Sequence, residues 1–569
     1  MSFNSEFMRV EFLLQTLSNG RWVLVQSGRD EAPFRVAVDK LRDSGSVDGI
    51  RLTRRVTRTD FDCVYDRDVA RWSKPGVAVP DPWMPIVVPG SVAVACETPE
   101  DLVSDDARAL IFAVLGKYLE ENTLTLVELL HSDRAADRIM SSGALVQTVM
   151  QRIAVVQVFG TQKPPSARMK ELEALVSARV RRLKTEAQAG APVTLRPGKF
   201  QEAMLSIEAQ HSGAEARYHQ FKALTHYLSA GKSWNEKFEL LFQLYEPHLS
   251  NEHASLFDAI GSEILIHASA VREILPVAGR RRADLLLGLV DMLQGEFHKP
   301  LDQLPIGLRA LGKLLRDDGM PRCREALRER LLREIVVRQN LTNDGVLSDE
   351  MQALNAVVKR VEATSPGLGA ELEFAEAVRE RVDRMTHVDN ISEYLQGAKP
   401  LSDKLDRLLA LAESSPIELG RQRVAEPLRN VMKADDLVRD YVAPLKDRSM
   451  SIPTLSTLAN RFASIGFDTN AQAEFVNAID GILTDVVRNE ATKGRGSQLE
   501  RMQKLIRLCT QPPLPPGRAR KLASEVIRQV LATPEFAQSY AERFPSEVDR
   551  EAALAKLKDI LRDAGLFAN

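Results

Sequence analysis

Three consecutive arginines, Arg280-Arg281-Arg282, follow Pro276-Val277-Ala278-Gly279 and open an apolar run that begins at Ala283. Guanidiniums at a helix N-terminus, beside backbone N–H groups with no acceptor in the helix, have the chemistry of an anion site. The ligand this implies is a phosphate or a nucleotide second messenger. Asp284 stands next to the cluster and supports the competing reading, a solvated corner whose charge is neutralised locally.

Most of the histidines gather mid-chain, at His211, His219, His226, His248, His253 and His267. His219 and His226 share a helix face but stand about 10 Å apart along its axis. That is too far to share an ion, because chelating histidines sit three or four residues apart. The four cysteines, Cys63, Cys96, Cys323 and Cys509, form no Cys-x-x-Cys pair. Neither a zinc site nor a disulfide framework is expected, and a reducing compartment, the cytoplasm, fits best. There is no glycine-rich phosphate loop, no His-Glu-x-x-His, no Gly-x-Ser-x-Gly and no EF-hand spacing. No catalytic residue, metal or cofactor is therefore expected.

Near the N-terminus Arg51, Thr53, Arg55 and Thr57 alternate with Leu52 and Val56, so the arginines share one strand face. A basic sheet face is the chemistry of RNA binding. Asp60, Asp62, Asp66 and Asp68 follow at once and are expected to neutralise it across the strands. The formal net charge of the whole chain is −2, without the cationic excess that nucleic acid demands. Arg51 and Arg55 are kept as candidate protein contacts. So is Trp83, in an apolar proline-rich stretch, and so are Arg421, Arg423, Arg518 and Arg520, which occur in two Gly-Arg-x-Arg segments.

The elements that position these residues follow from periodicity. Residues 1–72 read as a small ββαββ α+β domain. Met8, Val10, Phe12 and Leu14 alternate, Asn19-Gly20 marks a hairpin, and Trp22 to Val25 return. Asp30 then caps a short helix whose inner face is Phe34, Ala37, Val38 and Leu41, closed by Ser44-Gly45. Two more strands follow, over 50–56 and 61–65. Prolines at 75, 80, 82, 85 and 89 make 73–97 an extended linker. Residues 98–188 read as a helical domain, 189–200 as a second linker, and 201–569 as a helical-repeat region.

The repeat rests on matched segments. Tyr227 and Lys232 precede Phe238, Leu241 and Phe242, just as Tyr394 and Lys399 precede Leu405, Leu408 and Leu409. Met502, Leu505 and Ile506 form a further copy, and Leu308, Leu311 and Leu314 a fainter one. A spacing of 97 residues separates Leu308, Leu405 and Met502, with units starting near 227, 297, 394 and 491. At 569 residues, 44% apolar and 27% charged, the chain is long enough for several folding units. The fold class expected is mostly α: the ββαββ domain followed by multi-helix bundles or a repeat array. No stretch reaches the roughly 20 apolar residues of a membrane helix. The function expected is a non-catalytic protein–protein interaction or regulatory scaffold. The alternative is a ligand-responsive regulator holding a phosphate or nucleotide at Arg280–Arg282.

Overall fold

The computed structural model describes residues 8–18, 21–58, 63–74, 96–158, 163–275, 281–297, 300, 303–317, 319–398, 401–432, 451–493, 498–510, 514 and 516–563. The described residues are mostly helical, with 26 α-helices and one small N-terminal antiparallel sheet of four strands. The proline-rich stretch with Trp83 lies outside the described residues, as do Asn19-Gly20 and Arg280.

Strands β1 (Met8–Ser18), β2 (Arg21–Gly28), β3 (Gly49–Arg58) and β4 (Cys63–Ser73) form the sheet in the order β2-β1-β3-β4. The helix Glu31–Ser44 lies between β2 and β3 in sequence, so the element order is the ββαββ expected. The Asp30 side chain accepts the Ala32 N–H at 3.2 Å, and Gly45 ends the helix at φ 60°. That left-handed conformation is costly for any residue with a Cβ. The helix lays Phe34, Ala37, Val38 and Leu41 against Phe12, Leu14, Ile50 and Leu52 of the sheet.

The opposite sheet face departs from expectation. Leu13, Gln15, Leu17, Arg51 and Thr53 are all buried there, with Arg51 only 7% exposed. The face is therefore covered, and Arg51 does not present a basic surface. The register sets Arg55 opposite Asp66 and Thr53 opposite Asp68, the cross-strand juxtaposition the aspartates suggested.

The chain divides into two compact units. One comprises Met1–Ile274 with His298–Leu327, the other Leu275–Phe297 with Arg328–Asn569. The stretch 189–200, expected as a domain boundary, lies inside the first unit. Its flanks are bonded to each other, because Glu186 accepts hydrogen bonds from Tyr218 at 2.7 Å and Lys222 at 2.9 Å. Helices Asp105–Glu121, Leu126–His131, Asp133–Met140, Gly143–Val158 and Pro165–Ala189 enclose an aliphatic core that includes Leu119, Leu126, Ile153 and Leu172.

Buried charges serve helix ends. The first N–H groups and last carbonyls of a helix lack partners within it, and burial makes that costly. Here carboxylates from outside the helix, most of them on other helices, accept those N–H groups. Glu263 takes Val127 at 2.9 Å, Glu246 takes Phe200 at 2.6 Å, and Glu239 takes Gly307 at 3.0 Å. Asp258 takes Arg322 and Cys323 at 3.0 and 2.8 Å, and Asp480 takes Arg518 and Ala519 at 2.6 and 3.0 Å. Cations do the converse: Arg179 donates to the Leu130 carbonyl and Lys237 to that of Thr123. Each pairing also agrees in sign with the helix dipole.

Among the described residues no single helix is long and apolar enough to cross a membrane.

Candidate functional site

The expected arginine cluster is the place to start. Arg281 precedes the helix Arg282–Leu293 and grips Asp284 with two hydrogen bonds, at 2.9 and 3.1 Å. Arg282 turns inward, its Nε donating to Glu334 at 2.7 Å, with Gln339 as a second acceptor. Glu334 is fully buried and also accepts from Arg330 at 2.6 Å. Both guanidiniums at this helix start are thus held by carboxylates, and a buried ion pair of this kind is broken only at considerable cost.

A cleft of about 750 Å³ opens a short way along the same unit. It is built where the helix Pro321–Val336 ends and the loop 337–346 begins. The last carbonyls of that helix need donors, and Leu372–Met385 supplies two arginines three residues apart on one face. Arg381 donates to the carbonyls of Ile335 at 3.0 Å, Val337 at 2.8 Å and Gln339 at 2.8 Å. Arg384 donates to Val336 at 2.9 Å and Val337 at 3.4 Å. From the other side Glu350 accepts the Leu341 and Thr342 N–H groups at 2.7 and 2.5 Å, pinning the loop. Gly345 completes the turn at φ 65°, where a Cβ would lie 2.4 Å from the Asn340 amide nitrogen.

The charges of this cleft do not cancel evenly. Glu350 faces Arg381 at 3.3 Å, and Asp403 faces Arg407 at 3.2 Å. Arg338 and Arg384 have no carboxylate within ion-pair distance among the described residues. Burial pulls the Arg381 guanidinium down to about 10, against the pull of Glu350. Burial also lowers Arg384; Glu380 opposes the shift and Arg338 adds to it. The Nε of Arg381 is buried without an acceptor. Asn340, Asn390 and Tyr394 complete the lining, with Asp344 and Glu393 as further acids. Fixed guanidiniums beside amides and a phenol have the chemistry to hold an anion.

Of the remaining candidates, Arg421 and Arg423 have structural partners. Arg421 donates to the carbonyls of Gly466 at 3.1 Å and Ser415 at 3.2 Å, and Arg423 pairs with Asp383 at 2.8 Å. Arg518 is exposed at the start of its helix, and Arg520 is half-buried on the same helix. The glycines of the two Gly-Arg-x-Arg segments have a shared cause. A Cβ on Gly420 would stand 2.2 Å from the Ser415 hydroxyl, and one on Gly517 2.4 Å from the Asp480 carboxylate.

The most perturbed titratable groups are also structural. His131 is fully buried; burial first, then the Arg179 charge, push it down to about 3. Its ring packs against Tyr218 and Phe221, and its Nδ1 meets the Val127 carbonyl at 2.8 Å. Burial raises the Cys323 thiol, and the Asp258 charge adds to that, so the sulfur is held as a thiol.

Sequence reasoning missed two groupings. The Arg381-x-x-Arg384 spacing places two cations on one helix face, and that signal was available. The second grouping is His211, Glu215 and His219, with the imidazoles stacked at 3.9 Å between centroids and 18° between planes. Its signal was the Glu215-x-x-x-His219 spacing, whereas His226 is exposed and stands apart. Comparison with protein-family models, characterised proteins and solved structures returns no match to this chain.

Proposed function

We propose that this chain is a non-catalytic protein–protein interaction or regulatory scaffold, built on a helical-repeat array with units spaced near 97 residues. The observation that carries this reading is the order of helix packing in the second unit. Arg282–Leu293 packs on Leu347–Thr364, which packs on Leu401–Ser414, and that on Glu418–Met432. Thr469–Lys493 and then Arg518–Leu531 continue the series. Helices that bury their apolar stripes against near neighbours in sequence behave as a one-dimensional array, and such arrays serve mainly to dock partners. The matched positions support the repeat. Phe238, Leu308, Leu405, Leu408, Met502 and Leu505 are all buried on helices, none more than 2% exposed. Three free buried cysteines, Cys96, Cys323 and Cys509, agree with a reducing, cytoplasmic setting.

In-cell crosslinking of the full-length chain with mass-spectrometric readout tests the scaffold reading. The expected result is a reproducible protein partner crosslinked to exposed residues of 401–563. A chain crosslinked to nothing beyond an unrelated helical control overturns it.

A second reading, a regulator that binds an anionic ligand, is favoured by Arg338 and Arg384, which have no carboxylate within ion-pair distance among the described residues. The test is retention of labelled nucleotides by the wild type, by Arg384→Ala, and by a triple Ala variant of Arg280–Arg282. Loss in Arg384→Ala with retention in the triple variant places the ligand in the cleft. Equal retention by all three removes this reading.

A further inference from the structure

The geometry points to a divalent transition-metal site of the zinc class formed by His211, Glu215 and His219. These residues meet where two helices join. His211 ends Phe200–Gln210, its backbone N–H returning to the Ile207 carbonyl, and Ser212 alone separates it from Gly213–Leu228. Glu215 and His219 stand one turn apart on that second helix, so their side chains emerge on the same face. His219 Nε2 lies 3.3 Å from Glu215 Oε1. One donor atom from each of the three residues falls within 4.8 Å of the other two.

The donor set selects the metal. Two imidazole nitrogens with one carboxylate oxygen suit zinc and its neighbours, whereas calcium and magnesium prefer oxygen alone. A tetrahedral zinc ion with bonds of about 2.1 Å spaces its ligands about 3.4 Å apart. Closing the present triangle to that size takes roughly 1 Å of side-chain rotation, which half-exposed histidines and an exposed glutamate have room for. The lone pairs of two parallel stacked rings run side by side, so the ion draws the imidazoles out of their stack.

The surroundings accommodate the added charge. Arg182 is shared among Glu215 at 2.5 Å, Glu186 at 2.8 Å and Glu100 at 3.2 Å, and Lys222 is held by Glu186 at 2.9 Å. When Glu215 turns to the ion, Glu186 and Glu100 keep Arg182 paired and Glu186 keeps Lys222 paired. Beside the cluster a cavity of about 240 Å³, lined in part by His211, His219 and Glu186, leaves space for a fourth ligand. An ion here ties the end of one helix to the first turns of the next. That is a clip, independent of the scaffold and anion readings above.

Calorimetric titration of Zn²⁺ into the full-length, chelator-treated chain tests the assignment. One saturable site is expected, weakened at least about tenfold in His211→Ala and in Glu215→Gln. His226→Ala, on the same helix but outside the cluster, binds as the wild type does. Co²⁺ gives the second readout: visible bands of a tetrahedral nitrogen and oxygen site that vanish in His219→Gln, a variant that keeps a polar side chain of similar length. Melting of each metal-free variant within error of the wild type ties any loss to ligation. The proposal is overturned if the wild type shows no saturable uptake at millimolar Zn²⁺. It is equally overturned if His211→Ala or His219→Gln, folded as the wild type, binds with unchanged affinity.

Discussion

In the first unit the most deeply buried ion pairs join residues far apart in the chain, 109 positions for Glu128–Lys237 and 155 for Arg108–Glu263. In the second unit their counterparts span 52 positions for Arg282–Glu334 and 31 for Glu350–Arg381. The first unit closes long loops before its charges are satisfied, so its parts depend on one another. The second satisfies each helix from the next few. Long-range closure favours all-or-none unfolding, and local closure favours opening in segments.

The largest effect that would break or sharpen this contrast is expected at Glu128. Its carboxylate holds Lys237 at 2.6 Å and also completes the capping box with Thr125. Glu128→Gln leaves a buried ammonium unpaired and should cost about 3–5 kcal/mol. Hydrogen exchange should then rise across the helices of 98–274 together. Loss confined to Leu126–His131 would mean that the first unit is no more cooperative than the second.

Next in size is Leu408→Ala, which empties a fully buried position and should cost about 2–5 kcal/mol. Here the exchange should rise only in Leu401–Ser414 and its packing neighbours Leu347–Thr364 and Glu418–Met432. Equal loss in Arg518–Leu531 would refute the segmental picture.

A pH dependence belongs to the first unit. His131 titrates near 6.5 when unfolded and about 3 when folded, so the unfolded chain takes up its proton first. The depressed value therefore subtracts stability as pH falls below 6.5, by at most about 1.4 kcal/mol per pH unit, until the folded value is reached. Denaturant titrations between pH 7 and pH 4 should show this slope, and His131→Gln should remove about one proton from it.

The smallest effect is expected at Asp480, whose carboxylate accepts the N–H groups of Arg518 and Ala519. Asp480→Asn should cost about 1 kcal/mol, as the loss of a helix cap does. Faster exchange at the start of Arg518–Leu531 is the readout. An unchanged profile there would remove the carboxylate cap from the account of that seam.

What could be read in advance was whatever depends on near neighbours in sequence. The N-terminal helix followed from Asp30, Gly45 and the spacing of Phe34, Ala37, Val38 and Leu41, because capping and amphipathic period are local. Arg423, legible only as a charge in a Gly-Arg-x-Arg segment, found its carboxylate at Asp383 on the earlier helix Leu372–Met385. Arg51 was legible as a strand residue but not as a buried one, since alternation names two faces without saying what covers them. The candidate sites were harder. Arg281 and Arg282 were visible as charge, yet whether charge is free for a ligand depends on Asp284, Glu334 and Gln339, the last two more than fifty positions away.

The amino-acid order by itself therefore determined a mostly helical chain behind a ββαββ start, and it placed the greasy seams at Phe238, Leu408 and Leu505. Helix and strand periods are written in successive side chains, and burial rewards them wherever the chain goes. Only the tertiary structure decided which arginines meet carboxylates, as Arg282 does, and which, like Arg384, are spent on the carbonyls at a helix end. It alone set His211 against His219, because a turn of backbone at Ser212 and Gly213 fixes that approach, whereas sequence spacing put only Glu215 beside His219.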